Sequence, residues 1–288
     1  KVSLRSSAPG NIVIVDTTQG RQTVIGEMDK PSAKLLLYDE AIYIHQGNQY
    51  IVKRLDLENQ RCYVEDTDVN YYTDSIVKTD IKVLEQDSRQ STTGVETVIG
   101  DILVRTQATK FKKLKFGTHE NIGYGEIDLP PEEMHTRSVV LLFAAGTEAG
   151  RAFAQVAELE QPIIMQRLGT LIRNIAPVFL LCDPRDLGVS ERLKDPVFQC
   201  PALYVYDSYP GGTGLSEGFL ENAVAILHGA LELVAGCSCS QGCPSCIGPV
   251  AAGPVVEGGG TDQTARPRLG NPKESMREFL KHWLGKAE

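Results

Sequence analysis

The sequence predicts an α+β protein: a small antiparallel β barrel or sandwich at the N-terminus, then a mixed β/helical domain with a four-cysteine loop. Three observations carry this. Residues 1 to 87 alternate Ile, Val and Tyr with polar residues between turn signals, the pattern of short, half-buried strands. From about Gly146 the apolar spacing changes to three and four, the helical period. Between Gly236 and Pro249, the stretch GCSCSQGCPSCIGP places four of the seven cysteines within ten positions.

The first part reads as strands in NIVIVDTTQGRQTVIGEMD and AIYIHQGNQYIVKRLDLENQRCYVED. Thr17 to Gly20, Gly47-Asn48 and Glu58-Asn59 supply their turns. The polar run Glu85 to Gly94 predicts a linker, placed at 88–94, that divides residues 1–87 from 95–288. Strands are expected to resume from Val95 until Pro130-Pro131 breaks the chain. SVVLLFA (Ser138 to Ala144) is a buried strand or the start of a helix; periodicity does not separate the two.

Helices follow in TEAGRAFAQVAELE, in IIMQRLGTLIRNIAPVFL, and in one long run from Gly214 to Gly236, with Gly236 just past its end as C′. A last helix is expected at 271–284, with Asn271 as cap and Pro272 in the first turn, where proline is best tolerated. Before it, residues 251–270 predict a mobile loop.

Composition narrows the function classes. At 42% hydrophobic, the 288 residues can form a substantial core. The net charge of -8 speaks against a tight nucleic-acid binder on average, since phosphate contacts need cations, but leaves room for a local basic strip. No run of eighteen apolar residues predicts a membrane helix. The opening KVSLRSSAPG lacks both the apolar core of a signal peptide and an initiator Met, and reads as cut from a longer protein. Without an export signal a disulfide scaffold is not expected, and Cys62, Cys182 and Cys200 read as buried small hydrophobes.

The cysteine loop has the spacing Cys237-x-Cys239-x3-Cys243-x2-Cys246. Four soft thiolates in a tetrahedron suit zinc. Gly242, Pro244 and the serines permit the tight turns that bring sulfurs two or three residues apart onto one ion. A set of four protein ligands leaves no open position, so the site reads as a staple and not a catalyst. A Cys-x-x-Cys redox pair would explain only two of the four. An iron–sulfur cluster also uses four cysteines and stays open as an alternative.

Four other features invite chemistry. Asp39-Glu40-Ala41 mimics an ATPase acidic box, but no phosphate-cradling loop precedes it, and it reads as a turn before a strand. Pro210-Gly211-Gly212-Thr213-Gly214 joins a strand to a helix. It reads as a tight turn, or more sharply as a phosphate contact through Gly211, Gly212 and Thr213. KFKKLKF is the densest basic run. Lys110 and Lys112 share one strand face, Lys113 and Lys115 the other with Phe111. This mixture suits a nucleic-acid strand through charge and stacking, or an exposed edge protected by lysines. His119 and His135 flank Glu120, Glu126 and Asp128, a weak hint of a second metal or acid–base site. His228 reads as packed.

THENIGYGEIDLPPEEMHT, CDPRDLG, YDSYPGGTGLSE and CSCSQGCPSCIGP together resemble the C-terminal region of MrfA-type helicases, over roughly residues 95 to 250. These are superfamily 2 DEAD/DEAH-box DNA helicases of bacteria, related to a fungal RecQ-like branch. Their zinc-binding domain follows two RecA-like motor domains and a winged helix. The resemblance assigns zinc to Cys237, Cys239, Cys243 and Cys246. It implies ATP-driven 3′-to-5′ translocation on DNA, a part in DNA repair, and a cytoplasmic, nucleoid-associated setting. This chain shows no phosphate loop and no placeable arginine finger, so ATP and Mg²⁺ are expected only in motor domains outside it. The chain itself is then expected not to be an enzyme. The leading expectation is an accessory region that guides or grips DNA, single-stranded or at a junction, beside the motor domains of the same parent chain, without a membrane. The alternative is a zinc-stabilised interaction domain that docks the motor or a repair partner with little DNA contact.

Overall fold

The computed structural model describes residues 10–249 and 270–285. Contacts divide the chain into two compact units: Lys1–Ile81 with Val104–Met134, and Lys82–Leu103 with His135–Glu288. The fold is α+β, as expected.

The first unit is built on a five-stranded sheet ordered β2-β1-β5-β4-β3, from β1 (Asn11–Asp16), β2 (Thr23–Asp29), β3 (Ile42–His45), β4 (Asn48–Asp56) and β5 (Arg61–Asp66). Alternation buries Ile12 and Ile14 of β1 and Cys62 and Val64 of β5 on one face. The expectation of an antiparallel sheet needs one correction. β1 and β5 pair parallel, Val13 opposite Arg61 and Asp16 opposite Val64. A parallel pair requires a long connection, and the intervening strands and α1 (Lys30–Leu36) supply it. Asp29 caps α1 by accepting from the Ser32 N–H at 2.9 Å. Asp39 and Glu40 form the expected turn, with the Asp39 carboxylate accepting from the Leu55 N–H at 3.0 Å.

Strand β6 (Tyr71–Val83) and β8 (Val95–Lys115) contribute residues to both units. Residues 88–94, expected as a linker, instead form β7 (Ser88–Thr92) and a turn at Thr93-Gly94. β7 pairs with β8 from Ser88 opposite Ile99 to Thr92 opposite Val95. Polar composition misled here because an exposed hairpin arm carries polar side chains while its backbone pairs. In the first unit the later part of β8 pairs with β9 (Asn121–Glu126).

In the second unit the later part of β10 (Glu132–Leu142) lies with β11 (Leu187–Arg192) and β12 (Ala202–Asp207) in the order β11-β12-β10. The SVVLLFA run is thus the end of a strand. Onto it pack α2 (Glu148–Ala154), α3 (Gln161–Leu180), α4 (Leu215–Glu221), α5 (Ala223–Gly236) and α6 (Pro272–Leu284). The long helix expected from Gly214 to Gly236 is in fact α4 and α5, bent by 78°. The break falls at Asn222, whose side-chain amide donates to the Gly218 carbonyl at 2.9 Å, the local competition that makes asparagine a poor helix interior. Gly236 is the last residue of α5, and Cys237 leaves it in extended conformation. α6 starts one residue later than the expected 271, which is its cap: the Asn271 carboxamide accepts from the Lys273 N–H at 3.0 Å. Its Phe279 packs tilted against Phe143 and edge-on to Phe153, its Trp283 packs edge-on to Phe143, and the Trp283 indole donates to the Thr93 carbonyl at 2.9 Å. Apart from Gly270, the loop expected at 251–270 lies outside the described residues. No single described helix is long and apolar enough to cross a membrane.

Candidate metal centre

Where α5 ends, the four cysteine side chains converge. Cys237 Sγ lies 3.5 Å from Cys239 Sγ and 3.6 Å from Cys243 Sγ. Cys246 Sγ lies 3.6 Å from those of both Cys239 and Cys243. All four are free thiols, and all four sulfurs fall within 4.8 Å of one another. The tight turn is local in origin. The N–H groups of Cys246 and Gly248 both donate to the Cys243 carbonyl at 3.0 Å, and the Cys243 N–H points at Cys246 Sγ at 3.3 Å. Gly242 has φ +128, and a Cβ there would stand 2.5 Å from the Gly248 carbonyl oxygen, so only glycine fits.

These residues fit a single ion. A tetrahedron of ~2.3 Å metal–sulfur bonds has edges of about 3.8 Å, close to the observed separations. An iron–sulfur cluster distributes its thiolates over more than one iron, which would hold the sulfurs farther apart. In the thiol quartet protons are shared unequally. A hydrogen bond from the Cys239 backbone, reinforced by neighbouring thiols, brings Cys237 down to about 7. Desolvation pushes Cys239 up to about 12. A bound dication is what allows all four to ionise together.

Two helices clamp the loop. From α3, Asn174 donates to the carbonyls of Pro244 and Cys246, both at 2.8 Å. Arg167 donates to those of Ile247 and Gly248 at 3.3 and 3.1 Å. From the start of α6, Asn271 donates to the Ser240 carbonyl at 2.8 Å, and Lys273 to those of Cys237 and, at 2.7 Å, Cys239. Sequence reasoning missed all four clamping residues. Amides and cations on distant helices carry no spacing signal.

The other expected sites turn out differently. The N–H groups of the glycine loop do not await a phosphate. Gly211 donates to the His135 carbonyl at 2.8 Å and Gly212 to that of Tyr209 at 3.1 Å. Thr213 donates through N–H and hydroxyl to the Asp207 carboxylate, which also takes the N–H groups of Leu215 and Ser216 at 3.1 and 2.9 Å. The anion at this helix start is the chain's own. As for the basic run, Lys110 pairs with Glu126 at 3.6 Å, Lys113 with Glu40 at 3.8 Å and Lys115 with Glu120 at 2.8 Å. Phe111 is buried against Tyr38, ring centroids 5.0 Å apart, and offers no stacking face. Lys112 has no acid within ion-pair distance among the described residues, and stands opposite Tyr124, which is 64% exposed. His119 bonds Tyr72 at 3.0 Å. Among the described residues the four cysteines are the one group of three or more possible ligands close enough to share an ion.

Fold and centre together define an α+β protein with a closed, structural four-thiolate site. The description MrfA Zn-binding domain belongs to a family model that matches residues 168–247, from α3 through the last cysteine. The uncharacterized ATP-dependent helicase YprA of Bacillus subtilis (strain 168) is 40% identical over 248 residues, 86% of this chain and 32% of that protein. The uncharacterized protein MJ1572.1 of Methanocaldococcus jannaschii is 39% identical over 79 residues, 26% of this chain and 70% of its own. A crystal structure of the DUF1998 helicase MrfA bound to DNA superposes with a TM-score of 0.68 at 36% identity, covering 98% of this chain and 35% of that one. The chain belongs to the family that carries the MrfA Zn-binding domain, and zinc is the cofactor of its cysteine centre. It spans about a third of the length of the helicases it matches.

Proposed function

We propose that this chain is the accessory zinc-binding region of an ATP-dependent 3′-to-5′ DNA helicase of DNA repair, contacting and guiding DNA beside the motor domains. The observation that carries this reading is the superposition of 98% of the chain on a helicase crystallised with DNA. Cys237, Cys239, Cys243 and Cys246 hold zinc, and the ion pins the loop after α5 to α3 and α6. ATP and Mg²⁺ act in the motor, and the setting is the bacterial cytoplasm at the nucleoid. Within this chain, the surface best suited to a single strand or junction is the β8–β9 hairpin. There Lys112 has no acid partner among the described residues, and the neighbouring Tyr124 and Ile122 are 64% and 43% exposed. A cation beside an exposed ring can hold a phosphate and stack a base.

The test is DNA binding across a salt series by wild type, Lys112→Glu and Tyr124→Ala. Weaker binding and a shallower salt slope for Lys112→Glu support the reading. Unchanged binding in both variants removes this hairpin as a DNA track. One observation favours a second reading, a zinc-stabilised docking domain: three of the four lysines in the basic run are already neutralised within the chain. Binding of separately purified motor domains with no measurable DNA affinity would select it.

A further inference from the structure

Two buried cations flank the cysteine centre. Lys273, at the start of α6, is 9% exposed, and Arg167, in the middle of α3, is 8% exposed. Each donates to backbone carbonyls of the cysteine loop, Lys273 to Cys237 and Cys239, Arg167 to Ile247 and Gly248. Neither has a carboxylate within ion-pair distance among the described residues.

Buried charges persist when an opposite charge compensates them. Backbone carbonyls satisfy the hydrogen bonds but carry no net charge. The missing compensation is in the loop itself. Four neutral thiols supply none, whereas a dication with four thiolates is doubly negative. One lysine and one arginine match that charge.

We propose that Lys273 and Arg167 are the counter-charges of the zinc–thiolate centre, which makes α6, outside the matched residues 168–247, a working part of the metal site. The inference rests on the zinc reading and adds to it. The cations favour the metal-loaded centre over the empty one. The metal in turn favours docking of α6. Asn174 and Asn271 grip the same loop by neutral hydrogen bonds and serve as the contrast.

The experiment measures zinc affinity of the whole chain at fixed pH by competition with a chromophoric chelator, with metal content as a separate readout. Lys273→Met and Arg167→Met should each weaken zinc binding by about 10- to 100-fold, the usual range for residues behind metal ligands. Lys273→Arg should restore it to within a few-fold of wild type. Asn271→Ala, which removes a neutral contact, should cost clearly less. Lys281→Met, on the exposed part of the same helix, should cost nothing. If Lys273→Met does not fold, Arg167→Met against Arg167→Lys makes the same charge comparison. Wild-type affinity in both methionine variants overturns the proposal, as does an Asn271→Ala loss equal to that of Lys273→Met. A wild-type chain free of zinc would overturn the metal reading itself, and is recognised separately by its metal content.

Discussion

The Asp207 carboxylate accepts both the N–H of Ser216, at 2.9 Å, and its hydroxyl, at 2.6 Å. Both residues are fully buried. With Thr213 and Leu215 bonded to the other oxygen, one side chain at the end of β12 organises the whole turn into α4. Asp207→Ala strands the buried N–H and hydroxyl of Ser216, each costing about 1–3 kcal/mol, and frees the part-buried N–H groups of Thr213 and Leu215. The variant should lose on the order of 3 kcal/mol or more of stability, read as a fall in melting temperature. Near-wild-type melting would mean the loop holds its shape without the carboxylate.

Gly212 allows the same turn from another side. Its φ is +79, and a Cβ would stand 2.4 Å from Arg137 Cγ. Arg137 is itself held by Asp101 and Glu217, each at 2.9 Å. Gly212→Ala is therefore strained in backbone and in space, and should destabilise by about 1–3 kcal/mol. Chemical denaturation of the two proteins checks the value. Gly211→Ala shares only the backbone strain, since nothing lies within 4 Å of its Cβ position, and should cost less.

Purified chain should carry one zinc and no iron. Cys243→Ser removes one of four ligands and should lose the metal and melt at a lower temperature. Chelation of the wild type should produce the same shift, since a ligand at a thousand times its Kd adds about 4 kcal/mol to the folded state. A metal-free variant that melts like wild type would deny the ion its structural role.

Acid should loosen the turn between β4 and β5. Hydrogen bonds from the side chain and backbone of Asn59 hold Asp56 down to about 2. Its folded value lies below the ordinary ~3.9, so its contribution is fully present above about pH 4 and is lost as the pH falls toward 2. The stability gap between wild type and Asp56→Asn should narrow over that window. A gap that stays constant with pH would show that the charge contributes nothing.

The chain order of residues determined a good deal. Cysteine spacing carried the metal centre, because ligands two to nine residues apart meet through local turns. Asn271 and Pro272 marked the start of α6, because capping is satisfied within one turn. Period changes separated strands from helices, because each element buries one face. What tertiary structure decided lies between residues far apart. The distant His135 carbonyl takes the Gly211 N–H of the loop that looked ready for a phosphate. Glu40 and Glu126 neutralise lysines that looked like a DNA track. Thr93 and Trp283 meet across 190 positions, and Lys273 reaches a cysteine carbonyl 36 residues earlier. Electrostatic balance depends on distance in space, and a linear sequence records that distance only where the chain turns back at once.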